Sequence, residues 1–326
     1  MIPLVSIVIP TYNQPRYLIE AMAGVFAQTF TDFELIIVDD GSTDDTPAAL
    51  EAARNRGWPF TLIRQDNAGV GAARDRGIAA ARGKYVALLD HDDLWHPEKL
   101  AIQTAFYQHH HQCAMVLVPW AYMNADATQR QSVPFRLYPH EIQSGIIERP
   151  LRHRANSNVF LMSSAMMFDR ARAAGLTHGR LRQCIEDSQF HIGLFCRGPV
   201  GIAGWPPGLL HREQVQPLMW YRSHPRNTST ESLYFDNGLR HLRRMDRDEA
   251  FADIGENRPD LEAFFAALAR HAAAQQLVAG RRSAAWNAYF RELPGQIKDR
   301  RLKFALSFPL LASMPHRLAK KLLHAQ

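Results

Sequence analysis

The 326-residue chain is 46% hydrophobic, so it can bury a substantial core and form one large domain with an appendage, or two domains. Its three cysteines are an odd number and show no metal-ligand spacing, so a reducing compartment is favoured over a disulfide framework. Residues 297–326 hold seven basic side chains and one acid, a balance equal to the formal net charge of +6 of the whole chain. Residues 1–296 are therefore formally neutral and predict no nucleic-acid-binding face. No apolar window reaches the roughly 20 residues of a membrane-spanning helix, and residues 1–10 lack the features of a signal peptide.

Strands and helices alternate in the first 120 residues. Short apolar runs predict five strands, at Val5–Ile9, Leu35–Val38, Phe60–Arg64, Tyr85–Leu89 and Met115–Val118. Helix starts are indicated by Pro15, by Thr46 followed by Pro47, and by Pro97. This alternation is typical of an α/β protein with a doubly wound, mostly parallel sheet.

The pattern is less regular at 120–235, where we expect loops, a few strands and one helix. Helical patterns return after Asp236, most clearly at Leu261–Leu277 and Ser283–Phe290. We therefore divide the chain into four consecutive parts: two halves of a main domain at 1–119 and 120–235, a helical appendage at 236–296, and a basic amphipathic tail at 297–326.

Polar residues follow four of the predicted strands, at Thr11–Asn13, Asp39–Ser42, Gln65–Asn67 and Asp90–Asp93. Ligands of parallel α/β sheets bind beyond the carboxyl ends of the strands, so these four segments predict one site. Clustered carboxylates such as those at Asp90–Asp93 resist burial unless a cation neutralises them. A Mg²⁺ or Mn²⁺ ion that also binds phosphate oxygens suits that cluster. The alternative is an acidic turn that caps the helix near Pro97.

The chain resembles family 2 glycosyltransferases of the GT-A fold, an inverting family that uses nucleotide-sugar donors. The resemblance covers residues 4–103 and is carried by Val5–Asn13, Glu34–Asp44, Asn67–Gly77, Asp90–Asp93 and Pro97–Leu100. Asp75 and His91 are small departures, because the family often has Asn at the first position and a small residue at the second.

This resemblance implies a set of donor-binding residues: Thr11, Tyr12, Asp39, Asp40, Asn67, Arg74, Asp90, Arg222 and Arg226. A carboxylate such as Asp39 can accept a hydrogen bond from a base N–H or a ribose hydroxyl, and an arginine can bind a diphosphate. Some of these positions also have ordinary structural explanations. Asp40 could belong to a capped turn, and Arg74 could be a solvated helix residue.

The resemblance also implies metal ligands and a catalytic base. Asp92 is expected as the direct ligand of Mg²⁺ or Mn²⁺, with Asp90 and His224 as further ligands. Asp187, with its neighbour Glu186, is expected at a helix start, where it would deprotonate the acceptor hydroxyl. The alternative for this acidic pair is a helix N-terminus that is merely enriched in acids.

Two other motifs carry little weight. Gly69–Val70–Gly71 has Arg74 where a dinucleotide-binding fingerprint needs its third glycine, and it follows the wrong strand. His109–His111 are consecutive, so on a helix they point in different directions and predict a solvated helix end instead of a metal site.

The tail at 297–326 alternates basic residues with Leu and Phe, and Pro309 and Pro315 are expected to interrupt any long helix there. Such a segment favours binding to an anionic membrane surface, and the alternative is a helix that packs its apolar stripe on the main domain.

The resulting prediction is an inverting hexosyltransferase that moves a sugar, with a UDP-sugar as the favoured donor, to a hydroxyl of a growing glycan. A bacterial surface polysaccharide or a lipid-linked saccharide is the expected acceptor, and the expected location is cytoplasmic or peripheral on the cytoplasmic membrane face. One alternative is a nucleotide-sugar pyrophosphorylase, although residues 10–15 replace the Gly-rich, Arg-containing loop of that class. Another alternative is a catalytically inactive protein that binds nucleotide sugars.

Overall fold

The computed structural model describes residues 2–131, 145–156, 162–178, 186–204, 217–224, 234–247, 251–298, 302–314 and 319. The chain forms two compact units, and each is assembled from three separated segments. The first unit comprises Met1–Glu148, Val159–Arg182 and Gly193–Arg226. The second comprises Arg149–Asn158, Gln183–Ile192 and Asn227–Gln326. The four consecutive parts proposed from the sequence stay a prediction about domains.

The described strands all belong to the first unit. They are β1 (Val5–Thr11), β2 (Phe33–Asp39), β3 (Thr61–Arg64), β4 (Tyr85–Leu88), β5 (Leu94–Trp95), β6 (Met115–Leu117), β7 (Trp120–Asn124), β8 (Arg130–Gln131), β9 (Ile146–Ile147), β10 (Met166–Asp169), β11 (Val200–Ile202) and β12 (Met219–Ser223). The five strands predicted from apolar runs are confirmed as β1, β2, β3, β4 and β6, with ends that differ by one or two residues.

The described helices occur in both units. They are α1 (Pro15–Phe26), α2 (Thr46–Asn55), α3 (Val70–Ala80), α4 (Lys99–His109), α5 (Pro150–Asn156), α6 (Glu186–Phe195), α7 (Tyr234–Arg247), α8 (Arg258–Val278), α9 (Arg282–Lys298) and α10 (Leu302–Ser313). Pro15 does begin α1, whereas Pro97 lies in the turn before α4. The expectation of one helix at 120–235 was wrong, because both α5 and α6 lie there.

The main sheet has the strand order β3-β2-β1-β4-β10-β6-β11-β9. Strands β3, β2, β1 and β4 are parallel, and β6 and β11 share their direction across the antiparallel β10. The edge strand β9 is antiparallel to β11. A smaller sheet has the order β5-β12-β7-β8. The predicted mostly parallel sheet is therefore confirmed.

Every residue of β1 is buried, so both faces of this central strand must be covered. Helices α1 and α3 provide this cover on opposite faces of the sheet. Ile7 and Ile9 belong to the buried cluster that also contains Leu18 and Met22 of α1. On the other side, Val8 lies against α3, where a Cβ added to Gly77 would fall 2.2 Å from Val8 Cγ1. A fully buried strand in a parallel sheet requires this two-sided covering.

The second unit is built around α8. Its buried Asp260 accepts hydrogen bonds from Arg149 and Arg152, at 2.7 Å and 3.0 Å. The predicted helices at Leu261–Leu277 and Ser283–Phe290 are confirmed within α8 and α9. Contrary to expectation, α10 continues through Pro309, and it ends before Pro315. Among the described residues, no helix has the length and apolar character needed to cross a bilayer.

The contact of α3 with β1 predicts opposite effects for two glycine-to-alanine changes. Gly77→Ala should lower the free energy of unfolding by about 1–3 kcal/mol, because the new methyl group would overlap Val8. Gly24 is the matched control, since a Cβ at this α1 position would meet its nearest atoms at 3.7 Å, an ordinary contact. Gly24→Ala should leave stability unchanged or raise it by up to about 1 kcal/mol. Urea denaturation of both variants measures the difference, and equal stabilities would contradict the described packing of α3.

Candidate functional site

The loops that follow β1 and β2 are joined by hydrogen bonds. Asn13, which has a positive φ of 52°, donates its backbone N–H to Ser42 Oγ at 3.0 Å. Its side-chain Oδ1 accepts the backbone N–H of Thr43 at 2.8 Å. Ser42 in turn donates its backbone N–H to Asp39 Oδ1 at 2.8 Å. Each loop therefore fixes the conformation of the other.

Asp40 holds the next loop, the one that follows β3. This carboxylate is 3% exposed, and it accepts the backbone N–H groups of Ala68 and Gly69, each at 2.8 Å. Gln65 Nε2 donates to it as well, also at 2.8 Å. Both oxygens of Asp40, predicted as a donor contact, thus organise the protein itself.

The other predicted donor contacts on these loops differ in exposure. Thr11 is buried, and its Oγ1 has no hydrogen-bond partner within the described part of the chain. Asp39 is buried beside it, since the two residues are paired in the β1–β2 register. Tyr12 is 42% exposed, and Asn67 is half-buried. An unpartnered buried hydroxyl is costly, so Thr11 can gain from a bound polar group.

The acidic segment after β4 is tied to two of the neighbouring elements. Arg74 of α3 is 4% exposed, and its Nη2 donates to Asp90 Oδ1 at 2.6 Å. His91 Nδ1 lies 3.2 Å from the carbonyl oxygen of Pro10 in β1. Together with the loop contacts above, these bonds confirm that the four polar segments meet at one edge of the sheet.

Asp92 and His224, two of the three predicted metal ligands, are in direct contact. His224 Nε2 lies 2.8 Å from Asp92 Oδ2. Burial would raise the pKa of Asp92, but the hydrogen bond from His224 and the nearby imidazoles of His91 and His224 bring it below its ordinary value. Asp90, the third predicted ligand, is paired with Arg74 instead. Within the described ranges, no three His, Cys, Asp or Glu side chains are grouped closely enough to enclose a metal ion.

Hydrogen bonds of Ser164 with Asp93 and with the backbone of Asp90 hold the acidic segment in place. This pair was not predicted from the sequence. Ser164 Oγ donates to the buried Asp93 Oδ2 at 2.5 Å and accepts the backbone N–H of Asp90 at 2.9 Å. Trp95 Nε1 donates to the carbonyl oxygen of Ser164 at 2.7 Å. Burial, followed by the negative charges of Asp92 and Asp90, raises the pKa of Asp93 well above its ordinary value. No local pattern signals Ser164, which lies 71 residues from Asp93 in the chain.

Arg222 was predicted to contact a diphosphate, but the structure surrounds its guanidinium with protein acceptors. The side chain is completely buried, with Nε 2.7 Å from the carbonyl oxygen of Asp92 and Nη2 2.6 Å from Glu20 Oε2. Nη1 donates to the carbonyl oxygen of Ala125 at 2.7 Å, and the guanidinium carbon lies 4.5 Å from the centre of the Tyr17 ring. Arg222 therefore joins β12, α1 and the acidic segment. Arg226, the other predicted phosphate contact on this stretch, lies outside the described residues.

The predicted acidic pair begins a helix, as expected. Glu186 and Asp187 are the first two residues of α6. They belong to the second unit, and Asp187 is half-buried. Their roles as base and neighbour stay predictions.

The fold is that of solved glycosyltransferases. Staphylococcus aureus TarS 1-349, solved in complex with UDP-GlcNAc, has a TM-score of 0.55 and 18% identity, over 90% of this chain and 92% of that one. The mannosyltransferase PcManGT from Pyrobaculum calidifontis, in complex with GDP-Man and Mn²⁺, has a TM-score of 0.57 and 17% identity, over 99% of this chain and 85% of that one. These likenesses show that the chain has the GT-A fold.

Sequence comparison identifies the family within that fold. Residues 6–173, more than half of the chain, match the model of Glycosyl transferase family 2, so the chain belongs to this family. An uncharacterized glycosyltransferase of Rickettsia conorii is 42% identical over 104 residues, which are 32% of this chain and 17% of the relative. Escherichia coli chondroitin synthase is 39% identical over 101 residues, which are 31% of this chain and 15% of the relative. The chain thus matches less than a fifth of the length of these two relatives.

Two arginines pair with Glu20, and we expect their removal to change the free energy of unfolding by very different amounts. Arg222→Met should lower the free energy of unfolding by about 3 kcal/mol or more, because it removes a fully buried cation that donates to Glu20 and to two carbonyl oxygens. Arg16 is the matched control, since it binds the other oxygen of Glu20 at 3.0 Å but is 67% exposed. Arg16→Met should cost less than about 0.5 kcal/mol. Guanidinium denaturation measures both variants, and an Arg222→Met protein of normal stability would return Arg222 to the predicted diphosphate-binding role.

Proposed function

We propose that this protein is an inverting glycosyltransferase that moves a sugar from a nucleotide diphosphate to a hydroxyl group. The observation that carries the proposal is the contact of Asp92 with His224, next to the ion pair of Asp90 with Arg74, at the carboxyl edge of a GT-A sheet. This edge is where parallel α/β sheets bind their ligands. Membership of glycosyltransferase family 2 supports a transferase over a pyrophosphorylase.

The donor nucleotide is proposed to bind over the loops that follow β1, β2 and β3. The buried Oγ1 of Thr11 can accept or donate one hydrogen bond, and the carboxylate of Asp39 can accept one from a base N–H or a ribose hydroxyl. Tyr12 offers an exposed ring beside them, and Asn67 a side-chain amide. Asp40 would act indirectly, by holding the loop that carries Asn67.

The acidic segment fits a divalent cation in its donor set. The carboxylate of Asp92 and the imidazole of His224 are in contact. Both groups are suitable ligands for Mn²⁺, whereas Mg²⁺ prefers carboxylate over imidazole. Such an ion, when bound, would offset the charge of the departing nucleoside diphosphate. Arg74 would hold Asp90 in place from the other side, with its own charge close to the diphosphate.

Asp187 is proposed as the base. In an inverting transfer its carboxylate would take the proton of the acceptor hydroxyl while that oxygen bonds to the anomeric carbon and the sugar–phosphate bond breaks. The resemblance to the family and a second carboxylate next in the chain, Glu186, support the assignment, and the pair lies at a helix start as that resemblance implies.

The donor, acceptor and location are proposed at a coarser level. A UDP-sugar is the proposed donor. TarS was solved with a UDP-sugar, whereas PcManGT was solved with a GDP-sugar. The proposed acceptor is a growing glycan, either a bacterial surface polysaccharide or a lipid-linked saccharide. A lipid-linked acceptor would place the protein at the cytoplasmic face of a membrane, to which its basic tail would be attracted.

Donor binding can be tested by thermal stabilisation with UDP-, GDP- and dTDP-sugars, each with and without Mn²⁺. A bound donor at 100 times its Kd should stabilise the folded protein by about 2.7 kcal/mol. Asp92→Asn should lose the Mn²⁺-dependent part of this stabilisation and lower turnover at least about 100-fold, because a hard anionic ligand is removed.

The control for Asp92→Asn is Glu51→Gln, an exposed carboxylate of α2 outside the four polar segments, which should behave as wild type. Stabilisation by a nucleotide sugar without any sugar transfer or donor hydrolysis would favour the inactive binding protein. Full activity of Asp92→Asn in EDTA would end the metal proposal.

The base is tested by separating donor binding from transfer. Asp187→Asn should keep donor affinity while lowering the transfer rate about 100-fold to 10,000-fold, since an amide does not accept the proton. Glu256→Gln, an exposed carboxylate of the second unit, is the control and should change neither quantity. Calorimetry and a transfer assay measure the two quantities. Loss of donor affinity with an unchanged transfer rate would assign Asp187 to the donor site instead.

A further inference from the structure

Helix α10 presents two large aliphatic side chains to solvent. Leu306 is 72% exposed and Leu310 is 63% exposed. They are four residues apart, so they lie on the same side of the helix. Burial of a side chain of this size contributes about 1.5–3 kcal/mol, so two leucines on one side of a helix offer apolar surface to a partner.

The opposite side of α10 is already used for packing. Phe308 is 1% exposed, stacks on Tyr289 of α9 at 4.7 Å and meets the edge of Trp286 at 5.5 Å. Helix α10 is thus apolar on both sides, and the described residues of its unit cover only one of them. A helix that is apolar all round normally has both sides covered.

Charge on both sides of this apolar stretch indicates what covers the second face. Residues 304–315 contain no charged side chain. Lys298, Arg300, Arg301 and Lys303 precede them, and Arg317, Lys320 and Lys321 follow. With 12 residues, α10 is too short to span a bilayer, but a short apolar helix with basic flanks suits the boundary between lipid headgroups and acyl chains.

We propose that Leu306 and Leu310 form a membrane-docking face of α10 that inserts into the interface of an anionic bilayer. The two leucines would bury apolar surface among the acyl chains, and the basic residues that flank α10 in the sequence would be attracted to anionic lipids. The inference deepens the proposed function, on which it rests for its biological meaning, because it places the enzyme where a lipid-linked acceptor is found. The docking itself requires no catalysis.

Co-sedimentation of the full chain with vesicles tests the proposal. The protein should bind vesicles of mixed phosphatidylglycerol and phosphatidylcholine, and bind phosphatidylcholine vesicles weakly. The double variant Leu306→Gln/Leu310→Gln keeps the charge unchanged and should weaken binding to the anionic vesicles about tenfold or more. Ile2→Gln is the matched control, since Ile2 is another aliphatic side chain that is 76% exposed, and it should bind as wild type. Added salt should weaken binding of all three proteins.

Three outcomes would overturn the proposal. One is wild-type affinity of the double variant for anionic vesicles, and another is no vesicle binding by the wild-type chain. The third is a wild-type dimer that the double variant dissociates, measured by light scattering without lipid, because a second copy would then cover the face. Donor-induced thermal stabilisation, measured without vesicles, keeps these outcomes separate from a failure of the proposed glycosyltransferase activity.

Discussion

A full positive charge with no exposed surface lies at the base of the acidic segment. The guanidinium of Arg222 is tolerated there because the carbonyl oxygens of Asp92 and Ala125 and the carboxylate of Glu20 accept its hydrogen bonds. Its backbone N–H also reaches Asp93 Oδ1 at 3.1 Å. One residue of the smaller sheet thereby sets the path of the acidic segment of the main sheet. The neighbouring His224, which is buried, meets Asp92 at 2.8 Å.

The acidic segment contains three carboxylates within four residues, and each has a different partner. Asp90 faces the cation of Arg74, Asp92 faces an imidazole, and Asp93 is buried under a serine hydroxyl. For Asp92 the effect of burial is outweighed by the hydrogen bond from His224 and the nearby imidazoles, so its pKa is lowered, whereas burial and the charges of Asp92 and Asp90 raise the pKa of Asp93. The two residues therefore have different uses, although the sequence presents them as equivalent neighbours. Asp92 is suited to bind a cation, and Asp93 to hold the segment in place.

Much of the first unit could be predicted from the sequence because its signals are local. Strands such as β1 and β4 are continuous apolar runs, and proline marks the start of α1. The meeting of the four polar segments followed from the direction of parallel strands alone. The role of Arg222 could not be predicted, because its partners are 97 to 202 residues away in the chain and a buried arginine has no distinct local pattern. The same is true of Ser164, which lies in the stretch where periodicity is irregular.

The hydrogen bonds between the loops after β1, β2 and β3 have a consequence for the thermodynamics of recognition. Side-chain oxygens of Asn13, Asp39 and Asp40 accept hydrogen bonds from backbone N–H groups of these loops. The loops therefore have their conformation before any ligand binds. A ligand that binds to preordered loops costs the protein little conformational entropy. Its affinity then reflects the contacts that it makes itself, and under the proposed function single hydrogen bonds, instead of loop rearrangement, would discriminate between nucleotide bases. For the proposed donor, such preordered loops would allow the preference for a base to change by substitution of one contacting side chain while the loops stay the same.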